Sequence, residues 1–250
     1  MMESVTLILA AFLTSTLSAV IGMGGGVTLL AIMAMVMPDG YLVVAYHGII
    51  QLVSNVTRTT VYRNEINLPL LARFSKGIIP GLFAAAGIVY GLIQYFDVSS
   101  ASELKIDFLK PLIGIYIIWF LYLRKKNPIS DKSFLWMGGI SGLVTVFVGA
   151  AGPLIAPFFI SRDMKKESVI ATKAACQAIG HMGKMPIFIF LFGVNYIKDW
   201  SVILPLILAV YIGTKFGKGI LGKIPEAIFK KIFRIALTLI AIRLILLNLI

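Results

Sequence analysis

The stretch VIGMGGGVTLL, residues 20–30, sets four glycines among five positions inside a long apolar run. Glycine in a helix interior costs roughly 0.5–1 kcal/mol relative to alanine. Inside a bilayer, backbone groups freed by a break must also find new partners. A second stretch, FVGAAGPLIAPFF at 147–159, has the same character. Each reads as a point where one helix stops and another starts.

Around these stretches the chain is apolar throughout. Of 250 residues, 59% are hydrophobic, and the mean hydropathy is +0.95; soluble domains run about 45–50% apolar. Apolar runs are drawn at 4–36, 41–61, 68–93, 107–123, 133–161, 168–191, 196–221 and 228–250. This pattern predicts an all-α polytopic membrane protein with about eight hydrophobic segments. Nothing between the runs is long enough for a soluble catalytic domain. The formal charge of +12 gathers at the ends of the runs. That is the pattern of membrane topology rather than of a folded nucleic-acid face. The single cysteine, Cys176, excludes an intrachain disulfide and a multi-thiolate metal site. Residues 1–20 carry Glu3 as their only charge and no basic leader, so they read as a retained membrane segment rather than a signal peptide.

The two halves of the chain resemble one another. GMGGG at 22–26 precedes GAAGP at 149–153 by 127 residues, and HGIIQLVSNVTR at 47–58 precedes KAACQAIGHMGK at 173–184 by 126. The second match aligns His47 with Lys173, Gln51 with Gln177, Asn55 with His181 and Arg58 with Lys184. Pro80 aligns with Pro205, Gly87 with Gly213 and Gly91 with Gly217. Several matches in order at a near-constant offset define an internal repeat. The division is a first transmembrane repeat over 1–123, a cytoplasmic linker over 124–132 and a second repeat over 133–250.

Loop charge orients the repeats. Lys and Arg concentrate at 58–76, 124–132, 162–173 and 214–234 and are sparse at 37–46, 94–110 and 193–200. The positive-inside rule places the rich loops in the cytoplasm. Two of them flank one run, 133–161, which must then enter and turn back. The run at 4–36 mirrors it from the other side. Each half becomes a broken or re-entrant segment plus three crossings, so the halves are inverted. Eight simple crossings with parallel halves are the alternative, and they would leave 162–173 outside.

The residues suited to chemistry are few. Behind each glycine cluster a helix resumes and exposes N–H groups at its positive end, an anion-binding arrangement. Pro153 suits the start of the second such helix. The alternative use of the glycines is close helix contact. Gln51, Ser54, Asn55 and Arg58 share one helix face, as do Lys173, Gln177, Gly180, His181 and Lys184. His47, Arg58, Lys173 and Lys184 lie near segment ends, where their heads can snorkel. Gln51, Asn55, Gln177 and His181 lie deeper and face the bundle or a cavity. His181 has a second use, carriage of a coupling proton, beside the plain one of bonding a neighbouring helix. No Asp or Glu falls in the repeat's core, and no phosphate loop, H-E-x-x-H or G-x-S-x-G occurs. No catalytic residue, metal set or cofactor is therefore expected.

VIGMGGGVTLL, FVGAAGPLIAPFF and ATKAACQAIGHMGK together resemble the sulfite exporter TauE/SafE family, also called the 4-toluene sulfonate uptake permease family. The resemblance covers essentially the whole chain. It implies a multi-pass plasma-membrane permease, an exporter of sulfite, a sulfonate or a related organic acid. It also implies a substrate path near Gly22, Gly24, Gly25 and Gly26 and near Gly149, Gly152 and Pro153. Two departures stand out: Ala31 where the family often has proline, and only two glycines in the second motif. The expectation is an alternating-access anion transporter in which Gln51, Asn55, Gln177 and His181 offer neutral donors. Arg58, Lys173 and Lys184 attract the anion near the cytoplasmic face. An anion-permeable channel with a glycine-lined path is the alternative. The expected partners are the anion, the lipid bilayer and a coupled proton, with no nucleic acid.

Overall fold

The computed structural model describes residues 2–21, 25–104, 109–123, 133–160 and 164–220, with short helical pieces at 234–235, 238–239 and 241–246. The described residues are helical with turns between. The helices are α1 (Met2–Ile21), α2 (Gly25–Val36), α3 (Gly40–Val61), α4 (Leu68–Phe96), α5 (Leu109–Ile118), α6 (Ser133–Phe147), α7 (Gly152–Ile160), α8 (Lys166–Phe190) and α9 (Trp200–Ile220). A π-helical turn over Trp119–Leu123 extends α5. The apolar runs at 4–36 and 133–161 are thus two helices each. The run drawn from 196 becomes helical only at Trp200, because Asn195 receives the backbone N–H groups of Ile197 and Lys198 and holds a turn. Residues 124–132 lie outside the described residues.

Local chemistry sets the boundaries. Asn67 caps α4 by accepting from the Leu70 N–H at 3.1 Å, with proline in the first turn. Asp97 ends α4 in the left-handed conformation at φ 51°. At the end of α6, Gly149 takes φ 92° and donates back to the Val144 carbonyl at 3.2 Å. That bond spans five residues, the closure a left-handed glycine makes possible at a helix C-terminus.

The helices pair across the halves. α4 lies along α6, α1 along α9, and α3 faces α8; α4 also meets α8, and α9 meets α3. Exchanging the repeats maps each pairing onto another: α4 with α6 becomes α9 with α1, and α3 with α8 maps onto itself. The seam of α4 and α6 is made of glycines. Gly77 sits against the Leu135 backbone, Gly81 against Gly139, and Gly142 against Gly81 and Leu82, so any Cβ there strikes backbone. Small residues give this closeness to helices that have no water to expel between them.

The contacts also fix directions. Gly48, early in α3, sits on Lys184, late in α8, while Thr172, early in α8, accepts at 2.9 Å from the N–H of Asn67, just beyond the end of α3. α3 and α8 are therefore antiparallel. α6 runs with α4: Phe74 lies by Gly138 and Leu82 by Gly142. α2 folds back on α1, with Gly25 against Thr14 and Ser18.

One end of the bundle gathers the loops with Asp39, Asp97, Glu103 and Asp199 against Lys198. The opposite end carries Arg58, Arg63, Arg73, Lys76, Lys165 and Lys215 against Glu65 and Glu167. These are called the acidic and basic ends below. The core lies between α2, α3, α4, α6 and α8, where Leu30, Met33, Ile50, Phe74, Phe134 and Phe188 are buried. The outside is apolar too: Phe83, Trp136, Tyr95 and Phe190 are 74 to 82% exposed. Leu68–Phe96 and Trp200–Gly217 are long and apolar enough to cross a membrane.

Candidate functional site

The interface of α3 and α8 carries most of the polar residues buried in the described structure. His47, Gln51, Ser54 and Asn55 come from α3, and Lys173, His181 and Lys184 from α8. Their spacing of three or four puts each set on one helix face, and the antiparallel packing turns the two faces toward each other. Among the described residues no Asp or Glu is buried. The site therefore holds an excess of positive and titratable groups without a carboxylate to balance it. Burying polar and ionisable groups at membrane depth is costly.

Several buried polar atoms have no hydrogen bond, two sets of them in this interface. Both amide atoms of Asn55 and the Nδ1 of His181 are buried with no hydrogen bond. Asn55 and His181 are repeat equivalents, 0% and 2% exposed. Ser141 Oγ on α6 is likewise buried and unbonded. His181, Gln177, Ser141, Cys176 and the start of α7 line a cavity of about 10 Å³, room for about one water.

The glutamines contact the glycine motifs. Gly26, in the first turn of α2, lies against Gln51: a Cβ there would stand 3.1 Å from Oε1. Gly152, the first residue of α7, lies against Gln177: a Cβ would stand 2.5 Å from Nε2. The structural equivalence is thus Gly26 with Gly152, the same 126-residue offset as the helices, rather than the 127 that aligns the motifs as strings. In each half a glutamine amide stands at the N-terminal end of a broken helix, where N–H groups lack helical acceptors.

His47 links both motifs. Its Nε2 is 2.8 Å from the Gly26 carbonyl and its Nδ1 3.2 Å from the Gly149 carbonyl. Both partners are acceptors. A neutral imidazole has one N–H and serves one of them; an imidazolium serves both. The His47 and His181 rings meet edge-on with centroids 6.0 Å apart.

Lys184 stands elsewhere than the sequence implied. It is fully buried, and its ammonium donates to the carbonyls of Val44 at 2.9 Å, Thr145 at 3.3 Å and, at 3.5 Å, Gly149. Its stem crosses α3 at Gly48, where a Cβ would occupy the same space. The expected cluster of Arg58, Lys173 and Lys184 near one face does not form. Arg58 lies about 20 Å along α3 from Val44, half-buried, and bonds only its own helix through Ser54 O at 3.3 Å and Ser54 Oγ at 3.0 Å. The reason is the antiparallel packing, which sends equivalent residues of α3 and α8 to opposite ends.

Of the other residues singled out in the sequence, Gly25 packs on α1 beside Thr14, and Pro153 takes the second position of α7. Gly22 and Gly24 lie outside the described residues. Sequence reasoning left His47 as a segment-end histidine. Its two acceptors come from positions 21 and 102 residues away, which no local pattern reveals.

With this geometry in view, comparison with known proteins assigns the class. The sulfite exporter TauE/SafE family model matches residues 7–244. The chain belongs to that family of membrane transporters. Comparison with curated proteins and with solved structures returned no match.

Proposed function

We propose that this chain is a plasma-membrane, multi-pass secondary transporter for a small oxyanion such as sulfite or a sulfonate, working by alternating access. The observation that carries the proposal is the pair Asn55 and His181. They are aligned in the repeats and buried, with both amide atoms of Asn55 and Nδ1 of His181 unbonded, in an interface with buried cations and, among the described residues, no buried carboxylate. An oxyanion supplies what they lack: acceptors for the Asn55 amide and for a His181 N–H.

In this reading the repeats over 1–123 and 133–250 are inverted. Equivalent helices α3 and α8 run antiparallel, which fits a two-fold axis across the helices. α6 and α7 leave and return toward the basic end, while α1 and α2 do so toward the acidic end. Gly25, Gly26, Gly149, Gly152 and Pro153 then form two turns that meet near the midplane. Gln51, Asn55, Gln177 and His181 face the anion, with Arg58 and Lys173 on its path to the cytoplasm. Cytoplasmic placement of the basic end follows the positive-inside rule. Export and a sulfur oxyanion rest on the family; coupling to a proton rests on His181.

The test is a thermal-shift screen of the purified protein with sulfite, sulfonates, carboxylates and simple cations. Stabilisation by oxyanions is expected, and a response to cations alone overturns the reading. Saturable, gradient-coupled uptake into proteoliposomes assigns a transporter; unsaturable electrogenic flux assigns the channel alternative.

A further inference from the structure

Lys184 and His47 do more in this arrangement than border a binding site. Together they hold carbonyls from four places: Val44 on α3, Thr145 at the end of α6, Gly149 in the turn before α7 and Gly26 at the start of α2. A cation at the C-terminus of α6 is favoured by the helix dipole, and hydrogen bonds from a charged donor are the strong ones. Gly48 gives the Lys184 stem its passage. Beyond the ammonium, toward the acidic end, comes an aromatic stack. Lys184 Nζ is 5.9 Å from the Phe188 ring centre, Phe188 stacks on Phe192 at 4.6 Å, and Phe192 on Tyr41 at 6.0 Å. Phe188 and Phe192 are 1% and 4% exposed.

The equivalent place at the basic end is built differently. Arg58, the repeat partner of Lys184, is half-buried and bonded within its own helical turn. Among the described residues its hydrogen bonds reach no turn and no second helix. Two inverted halves would close both ends alike if they were in the same state. Here a buried lysine and histidine tie the halves toward the acidic end, whereas at the basic end the Asn67 N–H donates to Thr172 Oγ1 at 2.9 Å, a neutral bond that reaches neither Gly149 nor Gly26.

We infer that Lys184, seated on Gly48, and His47 form the gate that closes the anion path at the acidic end, and that this gate releases the Gly149 turn and the start of α2 when the path opens there. The inference rests on the alternating-access reading above. The cavity beside His181 holds about one water, so an oxyanion reaches Asn55 and His181 only with movement of the turns. Lys184 and His47 hold the carbonyls that must move. They are positioning residues: they act through the turns and not only on the anion.

The experiment uses the native Cys176, which is fully buried and lines that cavity. The full chain in sealed vesicles of known orientation is treated with a membrane-impermeant maleimide from each side in turn. In the parent protein, modification from the acidic end is slow. Loss of a charge-assisted bond shifts a two-state population by about tenfold or more. Lys184→Met and His47→Phe should each accelerate modification from the acidic end by about that factor, with no change from the basic end. Rates from the acidic end equal to the parent's, in variants that melt like the parent, overturn the gate. If Lys184→Met does not fold, His47→Phe decides alone. If neither folds, the pair serves assembly, which also overturns it. The readout needs no substrate, so it separates from the anion screen. Faster modification with no oxyanion binding would sink the transport reading and leave the gate. Oxyanion binding with unchanged modification would do the reverse.

Discussion

Asn55 offers a test with two signs. Its amide is buried without partners, so it weakens the ligand-free protein while standing ready for a ligand. Replacing an unsatisfied buried polar group with an apolar one of similar shape is neutral or stabilising. Asn55→Leu should therefore leave the melting temperature without ligand unchanged or raised. It should weaken oxyanion binding by about tenfold to a hundredfold, the loss of one hydrogen bond to a charged group at about 1.5–3 kcal/mol. Melting curves with and without sulfite measure both. A drop in ligand-free melting would mean that Asn55 has a structural partner. The sequence exposed Asn55 and His181 through their spacing and repeat position, which are local properties. It hid His47, whose acceptors are brought near by folding. It misplaced Lys184 because closeness to a segment end does not say which end of the bundle that segment points to.

The elements respond to the geometry of their glycines rather than to their number. Gly81 and Gly87 both sit in α4, six residues apart. Gly81 touches the backbone of Gly139, whereas a Cβ on Gly87 would meet nothing within 4 Å. Gly81→Leu should separate α4 from α6 and destabilise the protein by about 1–3 kcal/mol, as overpacking does. Gly87→Ala should hold or raise stability, since alanine is favoured over glycine in a helix by about 1 kcal/mol. Thermal melting of the two variants side by side decides; equal losses would mean that the seam is looser than its contacts imply. Most helix boundaries were legible from the apolar runs, though the cap Asn67 makes for α4 was not. The breaks were legible from glycine clusters. The partners of the broken helices were not, because α6 meets α4 and α1 meets α9 across the chain's midpoint, and no period encodes a crossed pairing.

At the scale of the molecule, the separation of charge between the two ends sets the orientation. If α6 and α7 leave and return on the basic side, cysteines placed at 128 and 165 in a Cys176→Ser background should be labelled from one side of the membrane. Labelling from opposite sides would sink the inverted arrangement and restore simple crossings. The crossed pairing also bears on how the chain is made. α1 finds its long neighbour only in α9, nearly 200 residues later, which at about 5–20 residues per second is on the order of ten seconds or more of synthesis. Until then its face meets lipid, or a provisional neighbour that must later give way. The first half alone has no finished form, since the helix that covers its broken hairpin belongs to the second. Pairing between the halves is therefore completed only after α9 has been made.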